Sequence, residues 1–423
     1  MTRHLLAVIL LLAVGPVRGE SPMAKKLDLK EAVRLSMLNN PNLLSALEDI
    51  AIAEQRIRMA RHLRYPHVGL DFSALDYKSE SSFVITEHSG GLLMTPTRRD
   101  QLYSGRAFFE EELYTGGRTH NAIILAKAAL EKAKTLRDDM QIRIVRDVSV
   151  RFLEYVHCQR RITLIRELMA KLPARSASSG VAARLLFDDE RLELASLLEE
   201  AEVKELPVAR GALLKAIGMD LSRDIEVTDV IEELEMVPAA PTLEQALSWA
   251  REYRPEYKSE ALESEIDATE VAIALAGRKP IVSLMGMYEL TGADFPLRSN
   301  NWSGMLRMHL PFSWDYWTTI RERKAQLRKG QVRKVDIGDK ISLEVRQWHG
   351  DLSYQIARLK TFRQRERLWQ DAYDAAIGGG DPLRDKMELF LRYKRVRLHA
   401  LQALEDALLA RYEFEHAVGR ELR

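Results

Sequence analysis

The sequence predicts a mainly α-helical chain with a small β part, in which long helical hairpins alternate with pairs of strands. Three observations carry this. Residues 119–172 contain neither glycine nor proline. About 54 residues of helix make a rod of about 80 Å, whereas a typical globular helix has about 11–12 residues. The chain also repeats itself: Leu29, Ala32, Pro41, Ser45, Pro66, Val68 and Leu70 recur as Leu243, Ala246, Pro255, Ser259, Pro280, Val282 and Leu284, always at an offset of 214. Finally, each copy holds two extended runs of about 10 residues, the length of a tilted membrane strand.

The elements follow in order. Residues 1–19 have the layout of a secretory signal: polar Arg3 and His4, an apolar run over 5–14, then Val17 and Gly19 at the −3 and −1 positions of a cleavage site. The first repeat spans 20–240 and the second 241–423. Each opens with a short helix, 29–39 or 243–254. Pro41 or Pro255 then starts a second helix at a position where proline fits. Pro66 and Pro280 turn the chain into extended structure. The strands are "HVGLDFSALDY" and "LYSGRAFFEEELY" in the first half, "IVSLMGMYEL" and "WSGMLRMHLPF" in the second. In the last, Trp302, Leu306, Met308 and Leu310 share one face, and Ser303, Arg307 and His309 the other. The segment "LYTGG" at 113–117 falls opposite "PFSWD" at 311–315, now at an offset of 198, so the second copy is about 16 residues shorter between its strands. The rods follow, 119–172 and about 316–377. Gly330, Gly338 and Gly350 in the second imply a bend or close packing. Small residues reverse each rod, and a return helix closes each half on "KAIGMDL" or "HAVGREL".

Composition excludes several classes. The 423 residues carry a net charge of +1 with both signs mixed, which is unlike a nucleic-acid-binding surface. Cys158 is the one cysteine, so there is no internal disulfide or multi-cysteine metal site. No HExxH motif or phosphate loop is present, and neither enzymatic activity, cofactor nor metal is expected. His157 beside Cys158 lacks a supporting acid in the sequence. The acids of "FDDERLE" at 187–193 read as a solvated helix start rather than a cation site. Glu110, Glu111 and Glu112 sit within a strand, where lipid-facing acids are costly. They are expected either to be solvated at the periplasmic rim or to form an acidic ring in a lumen.

Four strands cannot close a barrel alone. An open sheet in hydrocarbon leaves two edges of unpaired backbone groups, each costing several kcal/mol, and single-chain barrels need about eight strands. Strands placed in a membrane therefore require a ring of chains.

With these residues in place, the chain resembles the outer-membrane efflux protein family, the TolC-like channel-tunnels of Gram-negative bacteria. The segments that carry the resemblance are "LDLKEAVRLSMLNNPNL", "LYTGGRTHNAIILAKAALEKAK", "SGVAARLLFDDERLELA", "PTLEQALSWAREYRPEY" and "PFSWDYWTTIRERKAQL". The resemblance implies a homotrimer in the outer membrane. Its twelve-stranded barrel would continue into a periplasmic helical tunnel. It would conduct cargo passively from an inner-membrane pump and a periplasmic adaptor. It also implies that the adaptor docks at the rod tips, which places docking and gating at Gly180, Val181, Ala182, Gly380, Asp381 and Leu383. The chain departs from the family pattern at "FSWDYW", where a glycine turn is usual, at the "GGGDP" tip, and in lacking the lipid-acceptor cysteine. The competing reading is a soluble periplasmic coiled-coil scaffold. Such a scaffold gives no reason to duplicate strand pairs between rods.

Overall fold

The structure is a computed structural model that describes residues 27–76, 83–85, 92–94, 101–173, 181–227, 240–378 and 383–422. The signal segment lies outside the described residues. The first half runs α1 (Leu29–Asn39), α2 (Pro41–His62), β1 (His67–Asp76), β2 (Phe83–Ile85), β3 (Leu92–Met94), β4 (Gln101–Tyr114), α3 (Arg118–Ala170), α4 (Val181–Glu199), a π-helical segment (Glu200–Glu205) and α5 (Leu206–Ile217). The second runs α6 (Leu243–Tyr253), α7 (Pro255–Ala276), β5 (Ile281–Gly292), β6 (Ser299–His309), α8 (Tyr316–Gly378) and α9 (Leu383–Val418). The rods are α3, with 53 residues, and α8, with 63. No helix among the described residues is long and apolar enough to cross a membrane.

The short helices begin on side-chain caps. Asp28 accepts from the Glu31 N–H at α1, and Thr242 and Gln245 form a reciprocal capping box at α6. Pro41 and Pro255 sit in the first turns of α2 and α7, where a missing N–H costs nothing. Each half closes on a left-handed glycine, Gly218 at φ 78° and Gly419 at φ 70°. A Cβ on Gly218 would lie 2.8 Å from the Asn39 carbonyl oxygen, and one on Gly419 would lie 3.1 Å from the Tyr253 carbonyl carbon. The repeat is therefore visible in packing: the closing glycine of each half seats on the end of that half's first helix.

Two departures from the sequence reading lie in the first half. The first inter-strand loop carries an extra two-stranded hairpin, β2–β3. The first return helix is not continuous, because Pro207, at the start of α5, has no N–H to give and the helix widens into the π segment just before it. The second return helix, α9, contains no proline and runs unbroken for 36 residues. The second rod stays one helix through its glycines. Gly330 marks close packing, since a Cβ there would lie 2.6 Å from an Asp267 carboxylate oxygen on α7, while a Cβ on Gly350 would meet nothing within 4 Å beyond its own helix backbone.

The sheet is antiparallel in the order β1-β4-β5-β6. The two halves meet at β4–β5, and β1 and β6 are open edges. The helices bury three main apolar clusters along their length. One, around Phe152, Leu213 and Leu408, joins α1, α3, α5 and α9. A second, around Val345, Leu352 and Phe414, joins α6, α8 and α9. The third, around Leu168, Leu194, Phe390 and Tyr393, lies toward the end away from the sheet.

Candidate functional site

Strand pairing sorts the sheet into two faces, because side chains alternate. On one face Val68, Leu70 and Phe72 of β1 stand beside Ala107 and Phe109 of β4, Leu284 and Tyr288 of β5, and Trp302, Leu306 and Met308 of β6. Phe72 is 83% exposed and Trp302 82%. Leu310, expected on this face, follows the end of β6. The phenyl ring of Phe109 lies over Gly286, where a Cβ would come within 2.2 Å of it. The other face is polar and charged. Arg106 donates to Asp71 at 2.8 Å, and the Ser104 hydroxyl donates to Glu289 at 2.7 Å. Arg307 and His309 of β6 share this face, together with Phe108, Met285, Met287 and Met305. Asp71, Arg106, Phe108, Met285, Met287 and Met305 are among the residues that line a hollow of about 600 Å³.

The three acids of β4 do not lie together. Glu110, opposite His67 and Met285, and Glu112, opposite Ser283, are on the polar face. Glu111 is opposite Leu284, on the apolar face and near the helical end of the strand. The alternation that splits them is the same one that sorts the strands.

Where strands become helices, both halves pack on the segment between α7 and β5. At the first junction a bulge in β4 follows Glu112, and Gly116 and Gly117 adopt φ of 67° and 94°. A Cβ on Gly116 would lie 2.5 Å from Lys279 Cβ, so the turn needs glycine both for conformation and for space. At the second junction the Arg278 guanidinium lies 5.3 Å from the Tyr316 ring centre and 5.0 Å from that of Trp317. The second junction is thus packed on the same segment through a cation and two rings rather than through a glycine turn.

At the other end of the rods, Val181 opens α4 and is exposed; Leu383 opens α9 and is half-buried. The backbone of Ala182 belongs to α4. Gly180, Gly380 and Asp381 lie outside the described residues. Behind these positions the hairpins are tied to each other. The Tyr373 hydroxyl donates to the Lys171 carbonyl, and the Tyr373 and Tyr393 rings stack with centres 5.2 Å apart. Burial pushes the Tyr373 hydroxyl pKa up to about 12, so it stays a donor. Lys394 of α9, with a side chain 9% exposed, reaches Glu190 of α4 at 2.6 Å and Glu193 at 3.1 Å. Glu190 is the buried member of "FDDERLE", with its side chain 3% exposed.

Two further groups answer questions raised by the sequence. His157 Nε2 lies 2.9 Å from Glu405, and burial pushes the Cys158 thiol up to about 11, leaving it unreactive at neutral pH. The residue that occupies Asn40's place in the second half is Arg254. Asn40 donates to the Ala216 carbonyl, and Arg254 donates to the Ala417 carbonyl, in each case just before the closing glycine. Arg254 is itself buried and holds Glu256 and Glu344 at 2.5 Å each. Among the described residues no cluster of His, Cys, Asp and Glu could hold a metal ion.

His416 lies beside this node, with Nδ1 3.8 Å from Glu344. Burial, and then the charges of Arg254 and Arg146, hold its pKa below the ordinary value of 6.5. As pH falls through 6.5 the unfolded chain takes up this proton first, so the folded state loses stability until His416 itself protonates. The thermal midpoint is expected to drop from pH 7 to 5.5, and to drop less in His416→Gln. Asp139 and Glu415, which burial pushes up, act with the opposite sign and are common to both proteins. Equal slopes for the two proteins would exclude the role of His416.

An open four-stranded sheet, apolar on one face and charged on the other, is thus continuous with paired helical hairpins whose rods are 53 and 63 residues long. Solved structures with this arrangement cover nearly the whole chain. CusC, described as forming a transmembrane channel, superposes with a TM-score of 0.77 at 14% identity, over 94% of this chain and 93% of its own. The fold is that of the TolC-like outer-membrane channel-tunnels. MtrE of Neisseria gonorrhoeae, an outer-membrane channel solved in its open state, gives a TM-score of 0.76 at 13% identity, over 93% and 89%. The outer-membrane protein VceC of Vibrio cholerae gives 0.74 at 15%, over 93% and 97%. No family model and no curated protein matches the chain by sequence.

Proposed function

We propose that the chain is one subunit of a homotrimeric outer-membrane duct, which passively conducts cargo delivered by an inner-membrane pump through a periplasmic adaptor. The observation that carries this is the sheet: two unpaired edges, an apolar face and a charged face on one four-stranded piece. Three copies supply twelve strands and leave no edge. On this reading residues 1–19 are a cleaved signal, 20–240 and 241–423 act as paired halves of each subunit, and the rods carry the lumen about 80 Å from the membrane. The adaptor docks at the tips, at Gly180, Val181, Ala182, Gly380, Asp381 and Leu383.

Mass measurement in mild detergent, followed by planar-bilayer recording, tests the reading. A particle of three chains that conducts ions supports it. A monomer soluble without detergent returns the chain to the scaffold reading, in which Phe72 and Trp302 would stand in water.

The charged face sets a second expectation. It carries Asp71, Glu110, Glu112 and Glu289 against Arg106 and Arg307, an acidic excess at each of three subunits. The duct is expected to prefer cations weakly. Glu110→Gln with Glu112→Gln reduces that preference, most at low salt where screening is weak, and Glu111→Gln changes it least. Equal effects of all three substitutions would contradict the split between faces.

A further inference from the structure

Three methionines interrupt the charged face of the sheet, and passive conduction does not require them. Met285 on β5 is directly opposite Met305 on β6, and Met287 follows Met285 on the same face. Side chains directly opposite start about 4.5–5.5 Å apart at Cβ, and same-face neighbours on one strand about 6.6 Å apart. Methionine is unbranched with three rotatable bonds, so three thioethers at this spacing can turn toward one point. Little else fills the space between them. The Phe108 ring, opposite Met287 on β4, leans the other way over Gly69 of β1, where a Cβ would come within 2.5 Å of it. Across β6, Met287 faces the small Ser303. The hollow of about 600 Å³ opens here, and Met305 is 38% exposed, so these side chains are not core packing. The repeat does not dictate them either: at the offset of 214 the first half has Asp71 and Ser73 where the second has Met285 and Met287.

We propose that Met285, Met287 and Met305 form a thioether site for a soft monovalent metal cation of the Cu(I) or Ag(I) class. Placing the site on the wall of a duct rests on the trimeric reading, in which the charged face turns to the lumen because charge in hydrocarbon is costly. Binding of the ion does not rest on it. Ligand softness selects the class: thioether sulfur suits Cu(I), whereas carboxylate, carbonyl and water suit Mg(II), Ca(II) and Mn(II). Charge agrees. The methionines are neutral, Arg106 and Asp71 pair with each other, and Glu110, in the row of Met285 and Met305, leaves the hollow one negative charge. That balance matches one monovalent ion. Arg307 stands one row nearer the helices, opposite Ser283. A site of neutral ligands, open on one side, holds an ion weakly enough to release it, as conduction requires. Three copies of the chain would carry three such sites at one level.

The test titrates silver nitrate into the full chain in chloride-free detergent buffer, with Cys158→Ser to remove the one thiol. Calorimetry gives affinity and stoichiometry, and the methionine methyl signals, labelled with carbon-13, report which sulfurs respond. One silver ion per chain is expected, with the methyl signals of Met285, Met287 and Met305 shifted. Leucine keeps the volume of methionine, so Met285→Leu, Met287→Leu and Met305→Leu remove a ligand without opening a cavity. Each is expected to weaken binding about tenfold or more, since even an outer-shell partner of a metal is worth about 10–100-fold. Met308→Leu, on the opposite face, leaves affinity unchanged, and Mg(II) does not displace silver. Affinity unchanged in the triple variant, or methyl signals that do not move, overturns the site and leaves the methionines as packing, whether or not the particle is a conducting trimer. Silver held as expected by a chain that is monomeric and does not conduct keeps the site and overturns the duct.

Discussion

Lys394→Ala is expected to destabilise the end of the helical bundle away from the sheet by about 3–5 kcal/mol, the scale for removing one partner of a buried ion pair. Lys394 crosses from α9 to α4 and meets Glu190 at 2.6 Å where both side chains are almost wholly buried. With the lysine gone, Glu190 must hold its charge without a partner or take up a proton. Glu193, more than half exposed, can turn to water and adds little. The comparison that isolates the pair is Lys394→Met with Glu190→Leu, which fills the space with apolar groups. It is expected to be near neutral, because two desolvation costs disappear together. Amide hydrogen exchange on α4 and α9 provides the readout. Rapid exchange there in Lys394→Ala, restored in the double variant, is the expected pattern. Equal loss in both proteins would show that the contact acts by shape rather than charge.

A tryptophan at Gly180, or at Val181 beside it, is expected to abolish export in cells while the oligomer still forms and reaches the outer membrane. The rods place these tips about 80 Å from the strands by the helix rise, too far for a tip substitution to disturb strand pairing. Val181 is already exposed at the start of α4, so a larger side chain meets nothing among the described residues that must move. What it would meet is whatever docks there. A photocrosslinker at 181 is expected to capture a periplasmic adaptor. Export and crosslinking both intact in variants of Gly180 and of Leu383 would place docking elsewhere along the hairpins.

The long-range plan was legible in the sequence because its signals are long. Over fifty residues without a breaker fix a rod, and matches at one constant offset fix a repeat. Strand alternation in β6 was readable from Trp302, Leu306 and Met308. The same period, applied to "FFEEELY", separates Glu111 from its neighbours, so that signal was present and went unused. Reading the repeat for its mismatches would also have singled out Arg254 at the place of Asn40. The π segment had its sign in Pro207. The contact between Lys394 and Glu190 had none. Helical rods with charges on every face allow many pairings, and only the packing of α9 on α4 selects this one. The tip positions drew on resemblance, and three of the six lie outside the described residues.

The order of the sheet constrains when it can form. Asp71 and Arg106, paired across β1 and β4, are 35 positions apart, whereas Ser104 and Glu289, paired across β4 and β5, are 185 apart. The helices and the β1–β4 and β5–β6 pairs join residues near in sequence and can assemble early; the central seam waits for the second half of the chain and, on the trimeric reading, the outer edges wait for two more chains. During that interval the face bearing Phe72 and Trp302 has neither lipid nor partner to cover it. The slowest pairing in the molecule is therefore also the one that leaves it most prone to aggregate. On the proposed reading, that face needs shielding until assembly is complete.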